Sequence, residues 1–378
     1  MADFEMDIKS QGKYSGSVFS TDEDLMQLSK EASNRFLFSN LLFYELSQYS
    51  RQLEKEVVSM LLNLFKGNSN CTGFTTSGGS ESLQLAVLAH KRHYLTRKGI
   101  TEPEIVMPET AHPALFKACE YYKVKPVVIP VGSGNKVTVE DYRTRITENT
   151  ILLVCSAPNF MFGTFDPCKA LGALALERNV GCLLDIGIGS FLVPFAKENG
   201  IKLPEENYDF SVKGITAISI EPSKYGLAPV GMGCLLFSED QLQKDLYWTK
   251  TDWCGYVYCS VNYTGSRSAG PIAVVWAMLV YHGYNTYARL AAEVFNNTKA
   301  LVEKLNKVKG IQVNGNPIVA PKLSSVVVYH SLQQRVTSTS TTWATTWLRT
   351  AGRWSRRSSC LHSTSHSTRT TPRTCRPS

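Results

Sequence analysis

The chain has 378 residues, 43% of them hydrophobic and 10% aromatic, which is enough to bury one large core or two. Its net charge of +8 is confined to the C-terminus: residues 333–378 hold eight Arg, no Lys and no acid, which leaves 32 basic and 32 acidic groups in residues 1–332. That balance excludes a general attraction to nucleic acid or an anionic membrane, no apolar stretch reaches the length of a bilayer span, and the ten cysteines show neither a C-x-x-C pair nor Cys/His metal spacing.

Residues 1–14 are polar and charged and carry no signal-peptide pattern. Residues 22–66 read as helices. Within them 54–65 is amphipathic, with Val57, Val58, Leu61, Leu62, Leu64 and Phe65 on one broad apolar face. The run T-T-S-G-G-S-E-S, residues 75–82, precedes an amphipathic segment at 83–94, so Gly79 and Ser80 lie at a helix N-terminus. Free backbone amides and the helix dipole suit a phosphate there. A plain glycine turn with a serine cap is the alternative. Neither a Walker loop nor a G-x-G-x-x-G motif is present.

From residue 75 to 237 strands and helices alternate. The predicted strands are 104–107, 126–129, 151–155, 182–185, 215–220 and 233–237, with helices such as 168–178 between most of them. Several strands are apolar throughout, as in a mostly parallel sheet covered on both faces. His112 opens a helix after the strand at 104–107; it is a ring that can stack on a flat ligand, or simply a cap. Asp185 ends an apolar strand, where ligands bind in open α/β sheets. Its alternatives are a helix cap or a structural ion pair. Lys224 follows the apolar run 215–220, and a lysine at the mouth of a buried strand is a candidate Schiff-base former, because desolvation favours its neutral amine. Residues 272–308 read as a long helical stretch, broken near Gly283, and 324–329 as one more strand.

In order and spacing, the phosphate loop, the ring-stacking histidine, the strand-end aspartate and the strand-end lysine resemble a pyridoxal-phosphate enzyme of aspartate aminotransferase fold type I. The segments T-S-G-G-S-E-S, E-I-V-M-P-E-T-A-H, L-L-V-C-S-A-P-N-F, Y-D-F-S-V-K-G-I-T-A-I-S and T-D-W-C-G-Y-V-Y-C-S-V-N-Y-T-G-S-R are similar to the sphingosine-1-phosphate lyase branch of the group II decarboxylase superfamily, over roughly residues 14–330. The resemblance implies an α/β fold with a large domain around a mostly parallel seven-stranded-type sheet. It divides the chain into an N-terminal helical segment (1–66), the large pyridoxal-phosphate-binding domain (67–270), a truncated small C-terminal domain (271–332) and a basic tail (333–378).

It further implies that Lys224 carries the cofactor, that Asp185 pairs with its ring nitrogen and that His112 stacks on the ring. Gly79 and Ser80 would hold the phosphate, and Ser223 would be among the residues that bind the cofactor. The Gly265-Ser266 loop would reach the phosphate of a neighbouring subunit, so a homodimer is implied, and Asn40 and Tyr258 would face the substrate. The implied reaction cleaves a phosphorylated sphingoid base to a fatty aldehyde and phosphoethanolamine, without metal. The alternatives are an amino-acid decarboxylase, for which Arg267 is the nearest carboxylate-binding arginine, and a non-catalytic homologue.

Four positions depart from the lyase pattern. Ser223 and Phe162 replace histidines, Val230 replaces a lysine, and the loop N-P-L-H becomes Asn40-Leu41-Leu42-Phe43. Reduced cysteines indicate a cytoplasmic protein, the alternative being association with the endoplasmic reticulum surface. Eukaryotic members of this family carry an N-terminal anchor, and the chain starts after that point. The tail, with 21 Ser or Thr and no acid, reads as disordered and as a frame error. Tryptophan has one codon, so T-W-A-T-T-W shifted by two bases permits V-G-D-Y-L, which resembles a helix of the family's small domain.

Overall fold

The computed structural model describes residue 20, residues 22–307 except 44, 133 and 256, and residue 313. The strand expected at 324–329 and the basic tail at 333–378 lie outside the described residues.

Two helices come first: α1 (Glu23–Arg35), capped by the Asp22 carboxylate, which accepts the amides of Asp24 and Leu25, and α2 (Gln48–Leu64). The alternating region follows as β1 (Thr72–Thr76), α3 (Gly79–Lys98), β2 (Glu104–Pro108), α4 (Pro113–Tyr122), β3 (Lys125–Ile129), α5 (Val139–Arg143), β4 (Thr150–Ser156), α6 (Cys168–Arg178), β5 (Gly181–Asp185), β6 (Ala217–Ile220) and β7 (Gly233–Phe237). After these come α7 (Asp240–Leu246), a small hairpin of β8 (Trp248–Lys250) and β9 (Tyr258–Ser260), and the long α8 (Gly270–Asn306). Helix α8 is interrupted at Gly283, whose φ of 61° and ψ of 175° leave the helical region where the sequence placed the break.

The seven strands form one sheet in the order β1-β7-β6-β5-β4-β2-β3. Strand β7 runs antiparallel to both β1 and β6, and the remaining pairs are parallel. Strand β1 therefore points the same way as β2 through β6, so all of them end at one edge. Successive residues of each strand serve opposite faces. Leu153, Cys155, Cys182 and Leu184 join one core with residues of α2, α6 and α8, while Leu152, Val154 and Leu183 join another with residues of α3, α4 and α7. Burial on both faces is why the inner strands read as continuous apolar runs. The predicted strand at 215–220 is shorter in the structure, starting at Ala217.

Candidate active site

The edge where β1, β2, β5 and β6 end gathers the sequence-predicted residues. Strand β1 runs into Ser77-Gly78-Gly79 and the start of α3. Gly78 takes φ 149°, and as the helix cap it has no side chain to satisfy the first amides. Strand β7 begins against this turn: a Cβ on Gly233 would meet the Gly78 carbonyl carbon at 2.6 Å. The turn is braced from within, since Thr76 Oγ1 and Ser82 Oγ lie 2.7 Å apart and the Glu81 carboxylate accepts the Ser77 amide at 2.5 Å. Ser80 is exposed on the helix's first turn.

Asp185 closes β5, and its Oδ1 accepts the Gly187 amide at 3.2 Å. The residue keeps some open surface towards the edge. Burial of the carboxyl still pushes its pKa above the ordinary carboxylate value, the His112 ring opposes that shift, and the Glu221 charge adds to it. A second buried carboxyl, Asp166, accepts the Ser156 amide at 2.8 Å and is pushed up to about 7 by burial, with Asp185 contributing. Ser219 is the lateral partner of Asp185 on β6, so both side chains lie on one face of the sheet. The buried Ser219 and Thr110 hydroxyls have no hydrogen-bond partner among the described residues.

His112 is the helix cap that the sequence allowed. Its Nδ1 accepts the Ala114 amide at 3.2 Å, which makes it the N-cap of α4, and its ring stands edge-on to Phe160 at 6.0 Å. Lys224 is half-buried just past β6, in a turn where its amide donates to the Glu221 carbonyl at 3.3 Å.

Glu221 is the residue that the sequence reading missed. Its Oε2 accepts the Gly79 amide and its Oε1 accepts the Ser223 hydroxyl at 2.6 Å. A group expected to hold the phosphate, Gly79, and one expected to bind the cofactor, Ser223, thus converge on a carboxylate of the chain itself. The available signal was an acid three residues before Lys224 in I-E-P-S-K.

The other expected residues form a second cluster on the β8–β9 hairpin and the loop after it. Asn40 Nδ2 donates to Ser266 Oγ at 2.9 Å, and the Leu41 amide donates to the Arg267 carbonyl at 3.0 Å. The Tyr258 hydroxyl lies against Gly265, where an added Cβ would come within 2.6 Å. Arg267 is engaged: Nη2 donates to Glu54 Oε1 at 2.7 Å and Nη1 to Thr75 Oγ1 at 2.7 Å. Burial alone would push Glu54 up, but Arg267 and Thr75 outweigh it and hold the carboxyl below its ordinary value.

These residues fit pyridoxal phosphate on two observations. A partly enclosed carboxylate with the orphaned Ser219 hydroxyl on the neighbouring strand suits a protonated ring nitrogen and the polar substituents of the ring. The N-terminus of α3 holds an anionic oxygen in the structure, supplied by Glu221, so the cup accepts the charge type that a phosphate brings. No group of His, Cys, Asp and Glu that would hold a metal ion occurs among the described residues.

Comparison with known proteins is consistent with this geometry. The pyridoxal-dependent decarboxylase conserved domain matches residues 14–321. Sphingosine-1-phosphate lyase 1 of Rattus norvegicus is 37% identical over 307 residues, covering 81% of this chain and 54% of the rat protein. The chain thus spans about half the length of the curated relatives it matches. The solved sphingosine-1-phosphate lyase of Burkholderia pseudomallei superposes with a TM-score of 0.81 at 30% identity, covering 84% of this chain and 74% of that one. Glutamate decarboxylase of Lactobacillus brevis, at 20% identity and a TM-score of 0.70 over 85% of this chain and 76% of that one, shares the fold.

Proposed function

Because the chain belongs to the pyridoxal-dependent decarboxylase family, on its sphingosine-1-phosphate lyase branch, we propose that it is a carbon–carbon lyase that cleaves a phosphorylated long-chain base to a fatty aldehyde and phosphoethanolamine. The observation that carries this reading is the convergence of Asp185, His112, Lys224 and the N-terminus of α3 at one sheet edge, in a chain that covers most of a solved lyase of this kind.

Lys224 would supply the amine that attaches the cofactor through its carbonyl. Asp185 would accept a hydrogen bond from the protonated ring nitrogen, and His112 would offer its ring face. The amides that open α3, with Ser80 and Ser223, face the phosphate. When bound, the cofactor would supply an electron sink for the carbon that bears the substrate amine. The Lys224 amine, freed as the substrate amine takes its place, would accept the proton of the neighbouring hydroxyl as the bond between the two carbons breaks and an aldehyde leaves. It would then return that proton to the amine-bearing carbon. Asn40, Ser266 and Tyr258 form the wall assigned to the substrate and to a second subunit, so a homodimer belongs to the reading. The large apolar side chains exposed beside Asn40, among them Phe38 and Leu46, support it. Eight free cysteines among the described residues fit a reducing compartment such as the cytoplasm. No helix of the described residues is long and apolar enough to cross a membrane.

The decarboxylase alternative needs an arginine for a substrate carboxylate, and Arg267 is already committed to Glu54 and Thr75. The test is product analysis with pyridoxal phosphate and sphingosine phosphate. Fatty aldehyde is the expected product. Carbon dioxide released from amino acids without aldehyde would move the assignment to the decarboxylases, and no turnover of either would leave a binding protein.

A further inference from the structure

Helix α3 spans 20 residues, opens on two glycines and has no side-chain cap, so its first amides are available to an acceptor from elsewhere in the fold. Glu221 supplies it, although 142 residues separate it from Gly79. The contact is close: a Cβ on Gly79 would come within 2.6 Å of Oε2, so glycine is what lets the carboxylate into the cup. The second carboxylate oxygen is held by Ser223 at 2.6 Å. The stem of Glu221 is anchored as well, with its amide donating to Ser190 Oγ at 3.2 Å and its carbonyl accepting the Lys224 amide. A Cβ on Gly187 would lie 3.6 Å from the Glu221 Cβ and 3.4 Å from Asp185 Oδ1. Glu221 therefore bridges the ground between the carboxylate assigned to the ring nitrogen and the cup assigned to the phosphate.

We propose that Glu221 is a built-in competitor for the cofactor's phosphate, holding the cup with its own carboxylate and setting how tightly the phosphorylated cofactor binds. The inference rests on the pyridoxal-phosphate reading above and deepens it. One amide hydrogen and one hydroxyl hydrogen cannot serve two acceptors at full strength, and two anions brought to one helix N-terminus repel each other. Binding of a phosphate therefore requires Glu221 to swing out of the cup. A ligand that keeps the ring and aldehyde but lacks the phosphate escapes this competition.

The test measures the dissociation constants of pyridoxal phosphate and of phosphate-free pyridoxal for the purified full chain, by the absorbance change on binding. Glu221→Gln keeps the shape and removes the charge, and Glu221→Asp shortens the reach by one methylene. Both variants are expected to bind pyridoxal phosphate at least tenfold more tightly than the native chain, with pyridoxal affinity unchanged. Equal or weaker binding of pyridoxal phosphate by both variants, with borohydride still fixing it to Lys224, overturns the role of Glu221 and leaves the cofactor assignment standing. Failure of all three proteins to bind pyridoxal phosphate overturns the cofactor assignment, and this inference with it.

Discussion

Asp185 and Glu221 are two carboxylates at one edge with opposite assignments. In the proposed function Asp185 would stabilise positive charge on a ring nitrogen, which an amide cannot do. Asp185→Asn is therefore expected to lower turnover on the order of a hundredfold while cofactor retention changes far less, since removing one preorganised electrostatic contact typically costs about that much in rate. Parallel measurements of aldehyde release and of bound cofactor check this, and near-normal activity would make Asp185 structural. For Lys224 the readout is covalent: borohydride is expected to fix the cofactor to the peptide that contains Lys224, and Lys224→Ala to abolish that label. Labelling of another lysine in the variant would displace Lys224 from its role. His112, Asp185 and Lys224 stood out in the sequence as candidates because each stands at an element boundary, where an apolar run ends and one chemically active side chain follows.

Among the elements, strands β2 and β4 to β7 were legible because burial on both faces makes them apolar throughout. The sequence reading passed over β1, β8 and β9. Strand β1 reads T-G-F-T-T, with one large apolar side chain, and its place at the sheet edge demands no more. The hairpin strands have three residues each, too few for a period to register. Helix α3 is tied to the sheet by His90, whose ring nitrogens meet the Ala86 carbonyl at 2.7 Å and Thr216 Oγ1 at 2.8 Å. Burial lowers the His90 pKa from 6.5 to about 4. The neutral ring is the folded form, so its stability contribution is complete above pH 6.5 and is lost as pH falls towards 4. The loss amounts to about 3 kcal/mol in all. Urea midpoints at pH 7 and pH 4.5 are expected to fall further apart for the native chain than for His90→Gln, and equal falls would place the acid sensitivity elsewhere. In α8 the break at Gly283 is a backbone effect, because nothing lies within 4 Å of an added Cβ. Its φ and ψ belong to the region that is essentially reserved for glycine. Gly283→Ala is expected to cost about 1–3 kcal/mol through backbone strain alone, read as a lowered Tm. An unchanged Tm would mean that the helix straightens freely.

At the scale of the whole molecule, Phe38 is 97% exposed, Leu46 87% and Tyr49 84%, close in sequence to Asn40. Apolar surface of this size asks for cover. Sedimentation is expected to give a dimer at micromolar concentration, and the double change Phe38→Glu, Leu46→Glu to shift it to monomer. A native chain that sediments as a monomer would remove the second subunit from the site. The frame-error reading of residues 333–378 is checked at the transcript, where resequencing is expected to reveal a one- or two-base shift near the codon for Ser331. A transcript that encodes the tail as written would overturn it.

The sequence by itself determined the fold class, the parallel character of the inner sheet and the family, and it put forward His112, Asp185 and Lys224 as the candidates for the cofactor. Each of these is written in local patterns: an apolar period, a glycine turn, a polar residue at the end of a strand. Tertiary structure alone decided what meets what. Glu221 reaches Gly79 across 142 residues and Arg267 reaches Glu54 across 213. The first contact depends on the strand order, because a sheet that sets β7 between β1 and β6 brings the start of α3 to the loop after β6. The chemistry of the cup was therefore readable as a preference for an anion. Which anion holds it follows from packing, since a carboxylate delivered by the fold satisfies a helix N-terminus as readily as a phosphate does.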